Sequence, residues 1–187
     1  MAQSSWFGSA VIPLRLVFIM WAAFFLEWTL GFPFTAFGII PRTGFGLIGI
    51  VTAPLLHGNF DHLLSNTLPL LFLGSALFFF YYRIGPTVFF RSYFWTNVMV
   101  WLFGRSDSSH IGASGVVYGL AFFLIFFGIF RRDFLSMVIS FIVILLYGGV
   151  MYGVLPTDPR VSWESHFAGA LVGIYTAIGF SSKKDVS

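Results

Sequence analysis

Cysteine is absent from the 187-residue chain. That excludes disulfides, thiolate metal sites and a cysteine nucleophile, and leaves the compartment open. Charge is nearly as scarce: Asp, Glu, Lys and Arg make up 9% of the residues, against about 25% in soluble domains. So little polar surface cannot cover a globule in water. Internal repeats, heptads and a soluble domain are missing too, so the expectation is one domain over 1–187. The opening MAQSSWFGSA has no basic region and no fitting cleavage site, so the first apolar run is read as a retained helix.

What is present is apolar. Hydrophobic residues make up 58% of the chain, 26 of them phenylalanine, in runs of the length that crosses a hydrocarbon core roughly 30 Å thick. Hydropathy and Gly/Pro punctuation predict six spans, near 13–31, 61–82, 86–104, 113–130, 134–153 and 164–180. The fold class is therefore an all-α membrane bundle of six transmembrane helices. Arg15 and Glu27 lie toward opposite ends of the first span, where long side chains reach headgroups or water. The segment between the first two spans, GFPFTAFGIIPRTGFGLIGIVTAPLLHGNF, is too apolar for a soluble loop and too broken for a spanning helix. It is expected to lie partly in the interface, packed on the bundle.

One set of turns carries Arg83, Arg91, Arg131, Arg132, Lys183 and Lys184, with Arg15 near the same face; the other carries Arg42, Arg105 and Arg160. The positive-inside rule puts both termini in the cytoplasm. Asp61, Asp107, Asp158 and Glu164 then fall on the outer side, as does the start of the fourth span.

Ionisable groups within spans are costly and mark functional sites by default. His57, His62, His110 and His166 all lie at the outer ends of spans, on the side of Ser114. His62 and Asn66 are four apart and share a helix face. A serine hydroxyl becomes a nucleophile when a neutral imidazole takes its proton, and His166 and His62 are the candidates. Acyl transfer also needs donors to the developing oxyanion, worth about 3–4 kcal/mol each. His62, Asn66 and the Ser114 N–H at its helix start can supply them, which leaves His166 as the base. Glu164, two residues before His166, projects to another face, so a Ser–His dyad is favoured over a triad. Tyr118, one turn after Ser114, is placed to pack on the His166 imidazole.

Three motifs carry a family likeness: HGNFDHLLSN (57–66), with H-x4-H-x3-N spacing; GASGVVYG (112–119), with G-x-S-G and a following Tyr; and HFAGALVG (166–173), with H-x2-G-x3-G. In this order, on spans two, four and six, they make the chain resemble the rhomboid intramembrane serine proteases over nearly its whole length. The resemblance implies Ser114 as nucleophile and His166 as general base. It also implies an oxyanion hole of His62, Asn66 and the Ser114 amide, with Tyr118 stacked on the imidazole. His57, Gly112 and Gly115 take supporting roles, and Gly169 and Gly173 let span six approach span four. Further implications are a fourth helix starting in a water-filled cavity open to the outside, a mobile fifth span, and a cap over 154–163. The implied substrates are single-span transmembrane proteins with helix-destabilising residues, and the implied location is the bacterial inner membrane. No cofactor, metal or nucleic acid is expected.

Some positions depart from the pattern. Ile48 and Gly49 stand where many members have Trp-Arg, Ile111 replaces a glycine, and Ser165 replaces a small apolar residue. Two other classes compete with a protease. A non-catalytic escort on the same scaffold would lack the serine or histidine, and both are here. A carrier using membrane histidines would show repeats or paired half-helices, and the sequence has neither. His110 matches no motif and is read as loop surface.

Overall fold

A computed structural model describes residues 6–156, 161–183, 185 and 186. Asp158, Arg160, Lys184 and part of the expected cap at 154–163 lie outside the described residues. The architecture is all-α. Its helices are α1 (Trp6–Leu30), α2 (Gly49–Thr52), α3 (Phe60–Phe80), α4 (Gly85–Phe103), α5 (Ser114–Arg131), α6 (Phe134–Tyr147) and α7 (Trp163–Ser181). Each predicted span coincides with one of the six longer helices. Among the described residues, three stretches are long and apolar enough to cross a bilayer: Phe7–Leu30, Phe60–Phe80 and Ser114–Arg131. This is an integral membrane protein. The fifth predicted span differs most, because its α-helix ends at Tyr147 and Gly148–Val154 continue as a tighter 3₁₀ turn. The pair Gly148-Gly149 lowers helix propensity at that junction.

α5 is the central element. Leu120, Phe123, Leu124 and Phe127 are fully buried along it, and it packs against α3, α4, α6 and α7. Two small-residue pairs explain its approach to α7. A Cβ on Gly169 would overlap the Gly115 carbonyl, and one on Gly173 the Gly119 carbonyl. Gly115 and Gly119 also receive α4, since a Cβ there would lie 2.8 Å from Thr96 Cγ2 and 2.7 Å from Ser92 Cβ. With little hydrophobic drive between helices in lipid, such close backbone contact is a main source of cohesion. α1 docks on α3 through the Trp21 Nε1–H donating to Thr67 Oγ1 at 3.0 Å.

The broken apolar segment after α1 packs on the bundle as short turns, with Ile39 and Ala53 buried and Phe45, Leu47, Ile48 and Val51 exposed. Its anchorage does not use the missing Trp-Arg pair. Arg42 donates through Nη1 to the Leu102 and Gly104 carbonyls at 3.1 and 2.9 Å. Ile39 exchanges backbone bonds with His110. Asn97 and Trp101 of α4 donate to the Ile50 and Thr43 carbonyls. Gly49 is itself part of the fit, because a side chain there would run into the backbone of Gly38 and Ile39.

At the opposite end from Ser114, the Arg131 Nη1–H donates to the Lys183 carbonyl at 2.6 Å and Arg83 pairs with Asp185 at 3.7 Å. Asp133 caps α6 by accepting from the Ser136 N–H, and the Tyr81 hydroxyl donates to Ser136 Oγ. Burial works to raise the Asp133 pKa. The bonds from Ser136 and the charge of Arg131 outweigh it and hold the carboxyl below its usual range.

Candidate active site

The site is built where three helices begin. α3 starts on Asn59, whose side chain accepts the His62 N–H at 2.8 Å. This capping bond places His62 and Asn66 on the first turns, facing α5. α5 starts at Ser114, so the backbone N–H groups of its first turn have no partner within the helix. α7 starts at Trp163 and carries His166 on its first turn. Ala113 N–H and Gly112 N–H tie the approach to α5 down, donating to His57 Nε2 at 3.4 Å and to the Ala53 carbonyl at 2.8 Å.

Ser114 Oγ and His166 Nε2 are 2.9 Å apart. The other ring nitrogen of His166, Nδ1, is 2.9 Å from the Gly153 carbonyl. Tyr118 lies flat against the imidazole, with ring centroids 4.1 Å apart and planes at 7°. Across the space in front of Ser114 stands His62, and Gly112 makes room for it: a Cβ there would sit 2.6 Å from His62 Nε2. Gly112 also has φ +108°, a conformation open to glycine and costly for other residues. Asn66 is buried and uses one amide N–H on the His62 carbonyl at 2.8 Å, leaving the second free.

Buried His57 lies edge-on to His62, centroids 4.9 Å apart. Its pKa falls to about 3, first because burial disfavours the charged ring and then because His62 is close, with the Leu55 carbonyl opposing. A neutral His57 can accept the Ala113 N–H at Nε2. His62, Asn66, Ser114, Tyr118 and His166 line one cavity of about 610 Å³. A hydroxyl, an imidazole in contact with it and unpaired N–H donors around a shared cavity are the parts acyl transfer requires.

Every residue singled out from the motifs therefore meets at one end of the bundle, and Gly115, Gly169 and Gly173 lie in the seam behind them. Sequence reasoning misplaced His110. It is buried, not loop surface: Nδ1 is 2.6 Å from Ser162 Oγ and the Nε2–H donates to the Arg105 carbonyl at 3.0 Å. Ser162 in turn meets Ser165 Oγ at 2.7 Å, and Arg105 Nε pairs with Glu164 at 2.8 Å. Together these contacts join the loop before α5 to the start of α7. Glu164 is thus engaged away from His166, as its position two residues earlier implies. Gly153 was missed as well. The signals available were the paired polarity of Arg105 and Glu164, and the Gly-x-x-Pro at 153–156.

Uncharacterized proteins of Mycobacterium tuberculosis and Mycobacterium bovis are 38% identical to this chain over 150 residues, covering 75% of it and 62% of their own length. One from Mycobacterium leprae is 39% identical over 147 residues, covering 70% and 55%. The chain thus spans less than two thirds of the length of these relatives. The rhomboid domain matches residues 45–183, a stretch that holds all three motifs and the whole of the cavity, and the chain belongs to the rhomboid family.

Proposed function

We propose that this protein is an intramembrane serine endopeptidase that cleaves single-span transmembrane substrates in or near the outer leaflet. The observation that carries the reading is the 2.9 Å contact between Ser114 Oγ and His166 Nε2 in a cavity at the head of a buried helix. Ser114 attacks the scissile carbonyl as His166 takes its proton, and the tetrahedral oxyanion is met by the Ser114 N–H, the free Asn66 N–H and His62. His166 then protonates the leaving amine. Water, activated by the same imidazole, hydrolyses the acyl-enzyme. Tyr118 fixes the plane of the ring throughout.

The residues act from one domain over 1–187 whose six longer helices cross the bilayer. α4 and α7, of 19 residues each, are long enough to do so at 1.5 Å per residue. α6 crosses with the help of its 3₁₀ extension. Both termini lie in the cytoplasm of a bacterial inner membrane, consistent with the clustering of Arg83, Arg131 and Lys183 at the end away from the cavity. A cavity is needed because a helix in lipid has its carbonyls satisfied and shielded from water; substrates with residues that destabilise a helix unwind into it most readily.

A fluorophosphonate probe tests the assignment. Purified wild-type protein should be labelled on Ser114, identified by peptide mass spectrometry, and Ser114→Ala should not be labelled. Equal labelling of both proteins removes Ser114 from the role.

A further inference from the structure

The dyad leaves one question open: what decides which nitrogen of His166 is the base. A neutral imidazole carries one proton and can hold it on either nitrogen, and only an unprotonated Nε2 can take the Ser114 proton. Among the described residues no carboxylate is bonded to Nδ1, and Glu164 is paired with Arg105. The atom that does reach it is the Gly153 carbonyl oxygen, at 2.9 Å.

That carbonyl is free for a reason written in the sequence. Gly153 lies in the 3₁₀ segment Gly148–Val154, whose bonds run from each carbonyl to the N–H three residues on. For Gly153 that residue is Pro156, which has no N–H. The Tyr152 carbonyl, by contrast, accepts the Leu155 N–H at 3.2 Å. Position 153 also has to be glycine for the carbonyl to arrive there. A Cβ would overlap the Tyr118 hydroxyl and lie 3.3 Å from His166 Nδ1.

Resting on the functional reading above, we propose that the Gly153 backbone carbonyl is a positioning group. It accepts the Nδ1–H of His166 and so holds the ring in the tautomer whose Nε2 faces Ser114. When Nε2 takes the serine proton, the bond from Nδ1–H to the carbonyl remains and its dipole faces the new positive charge. The acceptor sits on the segment that follows α6, so the readiness of the base depends on where that segment lies. A segment drawn away from α7 releases Nδ1 and leaves the imidazole free to reprotonate in the wrong sense.

Nitrogen-15 NMR of histidine-labelled protein in detergent reads the tautomer directly, with His166 signals assigned as those lost in His166→Ala. At a pH where the ring is neutral, both the wild type and Ser114→Ala should show a protonated Nδ1 and a bare Nε2. Gly153→Ala should show mixed tautomers and lose at least about tenfold in kcat with KM within about twofold; a wrong tautomer in a serine hydrolase costs up to about 10⁴. Adding Tyr118→Phe removes the hydroxyl that the new Cβ strikes, so the double variant should regain both the tautomer and rate relative to Gly153→Ala. A wild-type ring protonated on Nε2, a Gly153→Ala variant with native tautomer and rate, or a kcat that fails to follow the tautomer across the series would overturn the proposal. Because the tautomer is read without substrate, absence of protease activity would be seen separately.

Discussion

A buried imidazole that stays neutral behaves differently from one that must carry charge, and His57 is of the first kind. Its pKa in the fold is about 3 against an ordinary 6.5, so below pH 6.5 the unfolded chain binds a proton that the folded chain refuses. His57 therefore adds to stability fully above pH 6.5, and the contribution is lost as pH falls from there toward 3. Thermal midpoints in detergent at pH 7 and pH 5 should show the decline, and His57→Asn should flatten it. The proposed oxyanion donors are tested singly. His62→Ala and Asn66→Ala are each expected to lower kcat by about 10²–10³ with the fold retained, measured on a single-span substrate beside a circular dichroism spectrum. A loss of folding in place of a loss of rate would make them structural residues. The pairing of His62 with Asn66 was readable because i and i+4 share a helix face. The burial of His110 was not, because its partners Ser162 and the Arg105 carbonyl come from a different turn and from the backbone.

Between elements, the decisive contact is α5 on α7, where Gly115 and Gly119 face Gly169 and Gly173. Replacing Gly169 with Leu places a side chain where the Gly115 carbonyl sits. It is expected to cost about 2 kcal/mol or more, since overpacking a tight contact costs about 1–3, and to separate Ser114 from His166. Gly179 on the same helix has open space around it, so Gly179→Ala should be neutral or slightly stabilising. Thermal unfolding of both variants in one detergent makes the comparison, and equal stabilities would contradict the close-packing account. The tie between the loop before α5 and the start of α7 belongs at this scale too. Glu164 is buried and pairs with Arg105; Glu164→Ala leaves that guanidinium without its partner and should cost about 1.5–3 kcal/mol. The glycine seam was legible from the G-x3-G spacing of both helices. The end of α6 at Tyr147 was blurred, because hydropathy runs on through the 3₁₀ turn.

The molecule as a whole sets a cavity bordered by His62, Asn66, Ser114 and His166 into a body that exposes many Phe, Leu and Ile side chains. Phe7, Phe18, Phe134, Phe141 and Tyr175 are among the exposed apolar residues, as a lipid-facing surface requires and a surface in water does not. Composition alone made the membrane class clear, and the order of the three motifs identified where the polar residues would meet. How the segment after α1 is held lay beyond that reading, because it depends on Arg42, Asn97 and Trp101 reaching backbone carbonyls that no local pattern announces. The central claim is that the hydroxyl and imidazole in this cavity cut a transmembrane helix. Purified protein reconstituted with a labelled single-span substrate in liposomes, run beside Ser114→Ala and His166→Ala, tests it most directly. The account expects wild-type protein to release two fragments cut within or at the edge of the apolar stretch, and both variants to release none. Fragments formed equally by the Ser114→Ala protein would contradict it, as would an intact substrate with the wild type across a set of helix-destabilised sequences.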